Sequence, residues 1–329
     1  MAKIYTDEEA SLDPLEGKTI AVIGYGSQGH AQAQNMRDSG CEVIIGNPRG
    51  DEFWEKAESA GFDVYEISEA AKRGDIIHML IPDEVQAKVY NEQVAPAMGS
   101  GKVLGFSHGF NIHFKEIVPP RDDDVIMIAP KAPGPSVRES YEEGSGVPGL
   151  VAVAQDSSGE AMDVALAMAK AVGLTRIGVI ETSFEEEVET DLFGEQSVLV
   201  GGVSEMIKAG FETLVEDGYQ PEVAYFECLN ELKLIVDLIH KQGIEGMMRA
   251  VSNTAEYGGR TRGPRIVDED TRKEMEKLLE DIKDGSFAKE WITENQRGAP
   301  NLKEMREEAE DHLIERVGKE IREWSDIEG

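Results

Sequence analysis

Two pairs of acidic residues lie four positions apart in stretches that are otherwise largely apolar. The stretch VETDLFGEQSVLVGG carries Asp191 and Glu195, and the stretch YFECLNELK carries Glu227 and Glu231. Residues four apart on a helix share one face, with Cβ atoms roughly 5–6 Å apart. An unpaired carboxylate buried in an apolar helix is costly, and a set of carboxylate oxygens suits Mg²⁺. The spacing therefore predicts a site for divalent cations.

A solvated acidic surface would explain the same spacing. The chain has 65 acidic residues among 329, so pairs of this kind also arise by chance. Glu187 extends the first row to three, and Glu304 and Glu308 repeat the spacing on a predicted surface helix. The spacing alone leaves both interpretations open, although no cluster of Cys and His favours zinc.

A glycine-rich turn near the N-terminus has the spacing of a phosphate-binding loop. It follows the first predicted strand, opens the first predicted helix, and consists of Gly24, Tyr25, Gly26, Ser27, Gln28 and Gly29. In this context the glycines permit a tight turn and let backbone N–H groups approach a pyrophosphate. The turn predicts dinucleotide binding; a glycine-rich turn without a ligand is the alternative.

The turn after the second predicted strand, GNPRGDEFW, bears on the choice of dinucleotide. A carboxylate there can accept hydrogen bonds from both hydroxyls of the adenosine ribose, whereas a 2′-phosphate favours Arg, Lys or Ser. The turn carries Arg49 and Asp51, and Asp51 lies about 20 residues after the glycines, as expected for a ribose ligand. We predict use of NADH, or of both NADH and NADPH; a solvent-facing role for Asp51 is the alternative.

Three further residues could take part in chemistry. His108 and Lys131 each follow a predicted strand, and ligands of open α/β sheets gather at the carboxyl ends of strands. Lys131 could neutralise an anionic substrate or assist proton transfer. Structural roles explain both residues equally well, and Ser252 lies in a predicted polar turn, SNTAEYGG, that by itself indicates nothing.

The composition limits the classes of partner. With 33 basic against 65 acidic residues, the formal net charge of −32 would repel nucleic acids and anionic membranes. Such an excess also suits a high-salt cytoplasm, where screening weakens self-repulsion. The two cysteines form neither a disulfide framework nor a zinc motif, and no apolar run reaches transmembrane length. We expect a soluble, cytoplasmic protein.

The pattern of elements changes along the chain. Seven short apolar runs alternate with helical patterns up to residue 182, which predicts βαβ units with a buried parallel sheet. The runs cover residues 18–25, 42–46, 75–81, 102–107, 124–129, 150–155 and 176–180. Helical periodicity dominates afterwards, in the segments 185–218, 221–243, 268–285 and 301–324. The sequence thus predicts a Rossmann-type α/β domain over residues 1–182 and an all-helical domain over residues 183–329.

Taken together, these motifs resemble those of the short-chain class of ketol-acid reductoisomerases, also called acetohydroxyacid isomeroreductases. The resemblance covers almost the whole chain, and its matching stretches are GYGSQGHAQAQNMRDSG, PDEVQAKVY, SHGFNIHF, APKAPGP, VIETSFEEEVETDLFGEQ, AGFETLVEDGYQPEVAYFECLNELKLIVDLI and SNTAEYG. It implies Mg²⁺-dependent alkyl migration and reduction of 2-acetolactate and 2-aceto-2-hydroxybutyrate, in valine and isoleucine biosynthesis. It also implies a knotted helical domain.

The resemblance further implies roles for individual residues. His108 and Lys131 match active-site positions, and Ser252 matches a substrate-binding one. The active site is shared in a homodimer at least, with two Mg²⁺ ions held by Asp191 and Glu195 of one chain and Glu227 and Glu231 of the other. Cofactor contacts are implied for Tyr25, Gly26, Ser27, Gln28, Asp83, Glu84, Val85, Gln86 and Gly134.

One departure from the family concerns the cofactor. In the usual turn, an Arg is followed by serines that hold the 2′-phosphate, ending at a Trp. Aligned on Trp54, the serine positions hold Asp51 and Phe53 here, and the Arg is displaced to Arg49. A carboxylate at position 51 would repel a 2′-phosphate, so we predict NADH or dual use, with an NADPH-specific member of the family as the alternative.

Two other functions remain open from sequence. A β-hydroxyacid dehydrogenase also joins a Rossmann domain to a helical one, but it would not need both carboxylate pairs. A non-enzymatic protein that senses NAD would use the glycine-rich turn and leave the four carboxylates without a task.

Overall fold

The computed structural model describes residues 2–99 and 101–324. The chain divides into two compact units, Met1–Thr190 and Asp191–Gly329. The limit between them falls inside one helix, Phe184–Gly194. The sequence predicted a domain limit after residue 182, and that assignment stays a prediction.

The first unit is built on a sheet with nine strands in its described residues. They are β1 (Ile4–Tyr5), β2 (Thr19–Ile23), β3 (Glu42–Gly46), β4 (Val64–Tyr65), β5 (Ile76–Met79), β6 (Val103–Phe106), β7 (Asp124–Pro130), β8 (Gly149–Gln155) and β9 (Val179–Glu181). Their order is β1-β9-β8-β7-β6-β5-β2-β3-β4, and only the β1–β9 and β7–β8 pairs are antiparallel. Strands β2 and β5 are parallel neighbours, with β3 and β4 added on one side of them and β6 on the other, so the strand order reverses there. The carboxyl ends of β2 and β5 therefore form the switch point where α/β sheets bind ligands.

The strands form because their side chains are buried on both faces of the sheet. Ile20 and Val22 of β2 belong to the core on one face, whereas Ala21 and Ile23 belong to the core on the other. Strands buried on both faces read as continuous apolar runs, and this pattern allowed their prediction. All seven predicted strands are present, with ends shifted by at most three residues, whereas the two-residue strands β1 and β4 were missed. The predicted α/β fold class is confirmed.

Seven helices connect the strands and cover the sheet. They are α1 (Ser27–Asp38), α2 (Glu52–Ser59), α3 (Ile67–Arg73), α4 (Asp83–Val89), α5 (Phe110–His113), α6 (Gly134–Glu142) and α7 (Ala161–Val172). The predicted helices over residues 27–40 and 158–173 correspond to α1 and α7.

The remaining helices follow β9, and no strand follows Glu181 among the described residues. They are α8 (Phe184–Gly194), α9 (Gly201–Glu216), α10 (Pro221–Tyr225), α11 (Leu232–Ala250), α12 (Asn253–Ile266), α13 (Glu269–Lys283), α14 (Ser286–Gln296), α15 (Pro300–Glu310) and α16 (Leu313–Trp324). The all-helical character predicted for this part of the chain is confirmed.

The long predicted helices are interrupted, and here the sequence interpretation was wrong. The segment 185–218 breaks at a π-helical turn over Glu195–Leu199, and the segment 221–243 breaks at another over Phe226–Asn230. In these turns the amide of Val200 reaches the Glu195 carbonyl oxygen, five residues back, and the amide of Glu231 reaches Phe226. Because an extra residue in a helical turn barely changes the apolar periodicity, the sequence did not reveal them.

Two more helical assignments differ from the prediction. The segment 301–324 is two helices, α15 and α16, separated at Asp311. The stretch after Ser252 is the start of α12 and not a polar turn, because the Ser252 hydroxyl accepts a hydrogen bond from the amide of Ala255 as an N-cap. Ser and Asn favour turns and helix starts for the same local reason, and the sequence alone did not separate the two.

The second unit buries a small core and leaves much apolar surface exposed. Its core is formed by Phe211, Ala224, Tyr225, Ile314, Val317 and Ile321. The apolar composition of residues 221–243 predicts a buried helix, but Leu234 is 60% and Val236 is 50% exposed in α11, so that prediction is wrong for the single chain. No helix among the described residues is long and apolar enough to cross a membrane.

One ionisable side chain lies inside the sheet. His78 of β5 is fully buried, and burial lowers the pKa of its imidazole to about 4. It pairs in register with Val22 of β2 and Gly105 of β6, and its Nε2 lies 2.9 Å from the amide oxygen of Gln32 on α1. The folded protein therefore holds a neutral histidine.

The burial of His78 predicts a loss of stability in mild acid. Between pH 6.5 and pH 4 the unfolded histidine binds a proton that the folded one does not, so the free energy of unfolding falls as pH falls through this window. The contribution of this one group is on the order of 3 kcal/mol. Urea unfolding at pH 7 and pH 5 should show a smaller pH effect in His78→Gln than in wild type. Substitution of the exposed His240 by Gln is the control and should leave the wild-type dependence; equal dependence in wild type and His78→Gln would contradict the prediction.

Candidate active site

The turn between β2 and α1 shows why three of its residues are glycine. Gly24 has a φ of +100°, and a Cβ on it would lie 2.7 Å from the carbonyl oxygen of Leu80. A Cβ on Gly29 would lie 2.2 Å from the carbonyl oxygen of Gly24. These two glycines are required by close packing of the turn against α1 and β5.

Gly26 has a different reason. Nothing lies within 4 Å of a Cβ built there, and its φ is −76°. Neither packing nor backbone strain explains a glycine at this position, whereas a pyrophosphate approaching the start of α1 would. The cradle therefore fits the predicted dinucleotide.

A cavity of about 310 Å³ opens beside this turn. It lies at the carboxyl ends of β2, β5 and β6 and is lined by Gly26, Ser27, Gln28, Met79, Leu80, Ile81, Pro82, Asp83, Gln86, Ser107 and His108. The fold thus brings the glycine-rich turn, part of the predicted 83–86 stretch and His108 to one cavity. Glu84 and Val85 lie with Asp83 and Gln86 in the first turn of α4.

The loop after β7 packs against the glycine-rich turn. Gly134 is buried, and a Cβ on it would lie 1.9 Å from the carbonyl oxygen of Ser27. The side-chain amide of Gln28 donates to the carbonyl oxygen of Ala132 over 2.9 Å. Gly134 therefore supports the cradle through contact with its backbone, which agrees with its predicted place at the cofactor.

The turn after β3 combines both charges that the sequence predicted there. Asp51 is the N-cap of α2, where its Oδ1 accepts from the amide of Phe53 over 3.0 Å. The Arg49 guanidinium lies 5.6 Å from the ring centre of Trp54, and its Nε is 4.0 Å from Glu66. Arg49 is largely exposed, so it is placed to move toward an anion at this turn.

A buried carboxylate joins the two predicted catalytic residues. Glu187 of α8 is 1% exposed, and its Oε1 lies 3.0 Å from the Lys131 ammonium. Its Oε2 lies 3.1 Å from His108 Nδ1 and accepts from the amide of Gly109 over 3.2 Å. His108 follows β6 and Lys131 follows β7, so neighbouring parallel strands deliver both side chains to one acid.

The surroundings keep Glu187 ionised. Burial would raise the pKa of its carboxyl, but the hydrogen bond from His108 and the charges of His108 and Lys131 outweigh burial, and the pKa lies below its usual value. An ionised Glu187 accepts a hydrogen bond from the N–H at Nδ1 of His108, which leaves Nε2 as the ring nitrogen that can exchange a proton.

Glu187 was noticed in the sequence only as an extension of the Asp191–Glu195 row. Its spacing to Asp191 was visible, but 65 acidic residues make such spacings common. Only the tertiary structure distinguishes it, because it is the buried acid at which two strand ends meet. A single sequence does not show that one acid will face two residues at the ends of different strands.

The predicted metal ligands lie on α8 and in the second unit. Asp191 follows Glu187 by one turn of α8 and is half-buried, and Glu195 begins the π-helical turn that follows. Glu227 lies inside the second π-helical turn, and Glu231 follows it; both are exposed in the single chain. Each pair therefore spans a junction between α- and π-helix, a feature frequent at functional sites.

The donor set fits the implied metal. Four carboxylates and no Cys or His among the predicted ligands form an oxygen set of the kind that Mg²⁺ prefers. Exposure of Glu195, Glu227 and Glu231 leaves their oxygens accessible to ions. The predicted burial of both pairs inside apolar helices is wrong for Glu195, Glu227 and Glu231 in the single chain, since all three are exposed.

Comparison with known proteins agrees with this geometry. The family model of the acetohydroxy acid isomeroreductase NADPH-binding domain matches residues 14–178, and that of the ketol-acid reductoisomerase C-terminal domain matches residues 184–326. A ketol-acid reductoisomerase (NADP(+)) of Pyrobaculum aerophilum is 62% identical over 322 residues, 98% of each chain. One from Methanopyrus kandleri is 61% identical over 328 residues, the full length of both.

A solved structure is similar in sequence and in fold. The NADH-preferring ketol-acid reductoisomerase of an uncultured archaeon aligns with a TM-score of 0.94 and 52% identity over 98% of each chain. These matches confirm the predicted resemblance and set aside the β-hydroxyacid dehydrogenase alternative. The chain belongs to the class I ketol-acid reductoisomerase family.

Proposed function

We propose that this chain catalyses the Mg²⁺-dependent alkyl migration of 2-acetolactate and 2-aceto-2-hydroxybutyrate, coupled to reduction by a nicotinamide dinucleotide. The products are the corresponding 2,3-dihydroxy-3-methyl carboxylates. The observation that carries the proposal is the buried Glu187, which joins His108 and Lys131 beside the dinucleotide cavity.

The metal ions and the nicotinamide cofactor would supply the Lewis acidity and the hydride. When bound, two Mg²⁺ ions supply Lewis acidity to the hydroxyl and carbonyl oxygens of the substrate, and the nicotinamide supplies a hydride to the ketone. Asp191, Glu195, Glu227 and Glu231 would hold the ions. Gly26, Ser27 and Gln28, with the first turn of α4, would hold the cofactor.

The chain's own residues orient the substrate and handle protons. Lys131, paired with Glu187, lies where it can neutralise an anionic group of the substrate or donate a proton. His108 exchanges protons through Nε2 while Glu187 holds Nδ1. Glu231 and Lys131 are our candidates for proton transfer at the substrate hydroxyl, and Ser252, at the start of α12, for a substrate hydrogen bond.

The exposed carboxylates support a shared active site. Glu227 and Glu231 lie between exposed apolar residues of the same segment, Val223 and Leu234. Leu199, which ends the π-helical turn that Glu195 begins, is 69% exposed. Exposed apolar surface of this kind is typical of a protein interface. We propose a homodimer in which Asp191 and Glu195 of one chain face Glu227 and Glu231 of the other, with the knotted path of the helical domain that the family implies.

The cofactor proposal rests on the turn after β3. Asp51 uses Oδ1 as a helix cap, so Oδ2 can accept from the ribose hydroxyls of NADH, whereas Arg49 can turn toward the 2′-phosphate of NADPH. The relatives from Pyrobaculum aerophilum and Methanopyrus kandleri are named as NADP(+) enzymes, whereas the similar solved structure is that of an NADH-preferring enzyme. We propose that this enzyme uses both and prefers NADH.

Mixing two inactive variants tests the shared metal site. Asp191→Asn and Glu231→Gln should each abolish Mg²⁺-dependent isomerisation and reduction of 2-acetolactate. In a mixed dimer one site combines both substitutions and the other is intact, so unfolding and refolding an equal mixture should restore about a quarter of wild-type activity.

The surface pair Glu304 and Glu308 provides the control, because it has the same spacing on α15. The double substitution Glu304→Gln, Glu308→Gln should keep wild-type turnover and Mg²⁺ dependence. Full activity of Asp191→Asn or Glu231→Gln alone would refute the ligand assignment. A refolded mixture that contains mixed dimers of the two variants but recovers no activity would refute a metal site shared between chains.

Removal of the buried charge tests the role of Glu187. In Glu187→Gln the carboxylate that holds His108 and Lys131 is lost, and we expect kcat on 2-acetolactate to fall roughly 100-fold or more, as for loss of an acid–base group. Glu185→Gln changes an exposed acid on the same helix and should leave kcat within about twofold. Steady-state kinetics at saturating Mg²⁺ measure kcat for both variants. Equal kcat in the two would contradict the role assigned to Glu187.

Substitution of Asp51 tests the cofactor proposal. Asp51→Ser and Asp51→Asn both retain a good N-cap and remove the charge. Loss of repulsion worth about 1 kcal/mol should lower KM for NADPH roughly fivefold, while KM for NADH rises. Glu52→Gln removes a neighbouring exposed charge and should change either KM by less than about twofold. A higher KM for NADPH in Asp51→Ser would overturn the argument.

A further inference from the structure

A chain of hydrogen bonds runs from the interior of the sheet to the dinucleotide cavity. The Nε2 of His78 lies 2.9 Å from Gln32 Oε1, and both side chains are fully buried. The amide nitrogen of Gln32 then lies 2.9 Å from Ser107 Oγ and 2.9 Å from Gln28 Oε1. Ser107 and Gln28 both line the cavity.

With the side-chain amide of Gln32 oriented as in the structure, the donors and acceptors of this chain run in one direction. An amide oxygen only accepts, so His78 must carry its proton on Nε2 and donate to Gln32. The amide of Gln32 then has its nitrogen toward Ser107 and Gln28 and donates to both. Ser107 accepts from Gln32, and its hydroxyl proton remains to donate elsewhere. The alternative, with Ser107 donating to Gln32 Oε1, spans 3.4 Å.

The sheet makes room for this histidine. A Cβ on Gly105, its neighbour in register on β6, would lie 2.8 Å from His78 Nδ1. The other residues of β5 are Ile76, Ile77 and Met79, all buried. The Nε2 of His78 meets Gln32, whereas its Nδ1 is buried without a hydrogen-bond partner among the described residues. Burial of such a polar ring is unfavourable for folding, so packing alone does not explain it.

The position of Ser107 indicates which part of the cofactor it would meet. The glycine-rich turn at β2 takes the pyrophosphate, and Arg49 and Asp51 follow β3 on one side of it. Ser107 follows β6, on the other side of the switch point. In sheets of this order the adenosine and nicotinamide halves extend to opposite sides, which puts the nicotinamide half at Ser107.

We propose that His78 is a positioning residue for the dinucleotide: through Gln32, it directs the Ser107 hydroxyl to donate a hydrogen bond to the nicotinamide-nucleotide half. The inference rests on the proposed dinucleotide binding and adds to it a buried residue remote from the cofactor. It requires no charge on His78 and no metal.

Binding of NADH and NADPH without substrate or metal, followed by fluorescence, tests the proposal. His78→Leu and Ser107→Ala should each raise Kd about three- to tenfold, as expected for one hydrogen bond. His78→Gln places an N–H donor near the same point and should restore Kd to within about twofold of wild type. The double variant should match Ser107→Ala alone, because His78 acts through Ser107. Binding of ADP, which lacks the nicotinamide half, should be unchanged throughout.

Three results would overturn the proposal: additive effects in the double variant, a parallel loss of ADP binding, or an unchanged Kd in His78→Leu. If His78→Leu does not fold, the same double-mutant cycle can be measured with Gln32→Met, alone and combined with Ser107→Ala. Turnover of 2-acetolactate is measured separately. Wild-type protein that binds dinucleotide without turnover would refute the proposed reaction, while the binding cycle would still decide the role of His78.

Discussion

The ion pairs of Glu187 are the interaction on which the active site depends. A carboxylate that is 1% exposed is tolerated only because Lys131, His108 and the amide of Gly109 all meet it. Removal of Lys131 or His108 would leave the buried carboxylate without part of its compensation. The two strand ends and the start of the helical region are therefore held together by one acid, and its satisfaction fixes the orientation of both catalytic candidates.

The dinucleotide cradle depends on a different constraint, which is the close approach of backbones. Gly24, Gly29 and Gly134 are glycines because Cβ atoms would meet carbonyl oxygens, whereas a Cβ on Gly26 would meet nothing within 4 Å, which leaves room there for the proposed ligand. The site thus contains glycines that close packing requires and one glycine that it does not. The distinction matters because only the second kind indicates binding.

The helical unit contrasts with the sheet unit in how much it buries by itself. The sheet has apolar cores on both faces, while the helical unit has one small core and exposes apolar residues along the segments that carry Glu195, Glu227 and Glu231. Its π-helical turns bring carboxylates to that surface. Exposed acidic and apolar side chains therefore lie along the same segments, and the proposed shared site rests on that observation. A net charge of −32 disfavours nucleic acids and anionic membranes as partners.

The sequence by itself determined the seven main strands, the glycine-rich turn, the order of the α/β and helical parts, and the identity of His108 and Lys131 as candidates. These features depend on local periodicity and on motifs of fixed spacing, which a single chain displays directly. Tertiary structure alone decided that Glu187 is the buried acid, that π-helical turns interrupt the acidic rows, and that Gln32 links His78 to Ser107. Each of these depends on which distant residues become neighbours, or on one extra residue in a helical turn, and neither changes the local pattern from which the prediction was made.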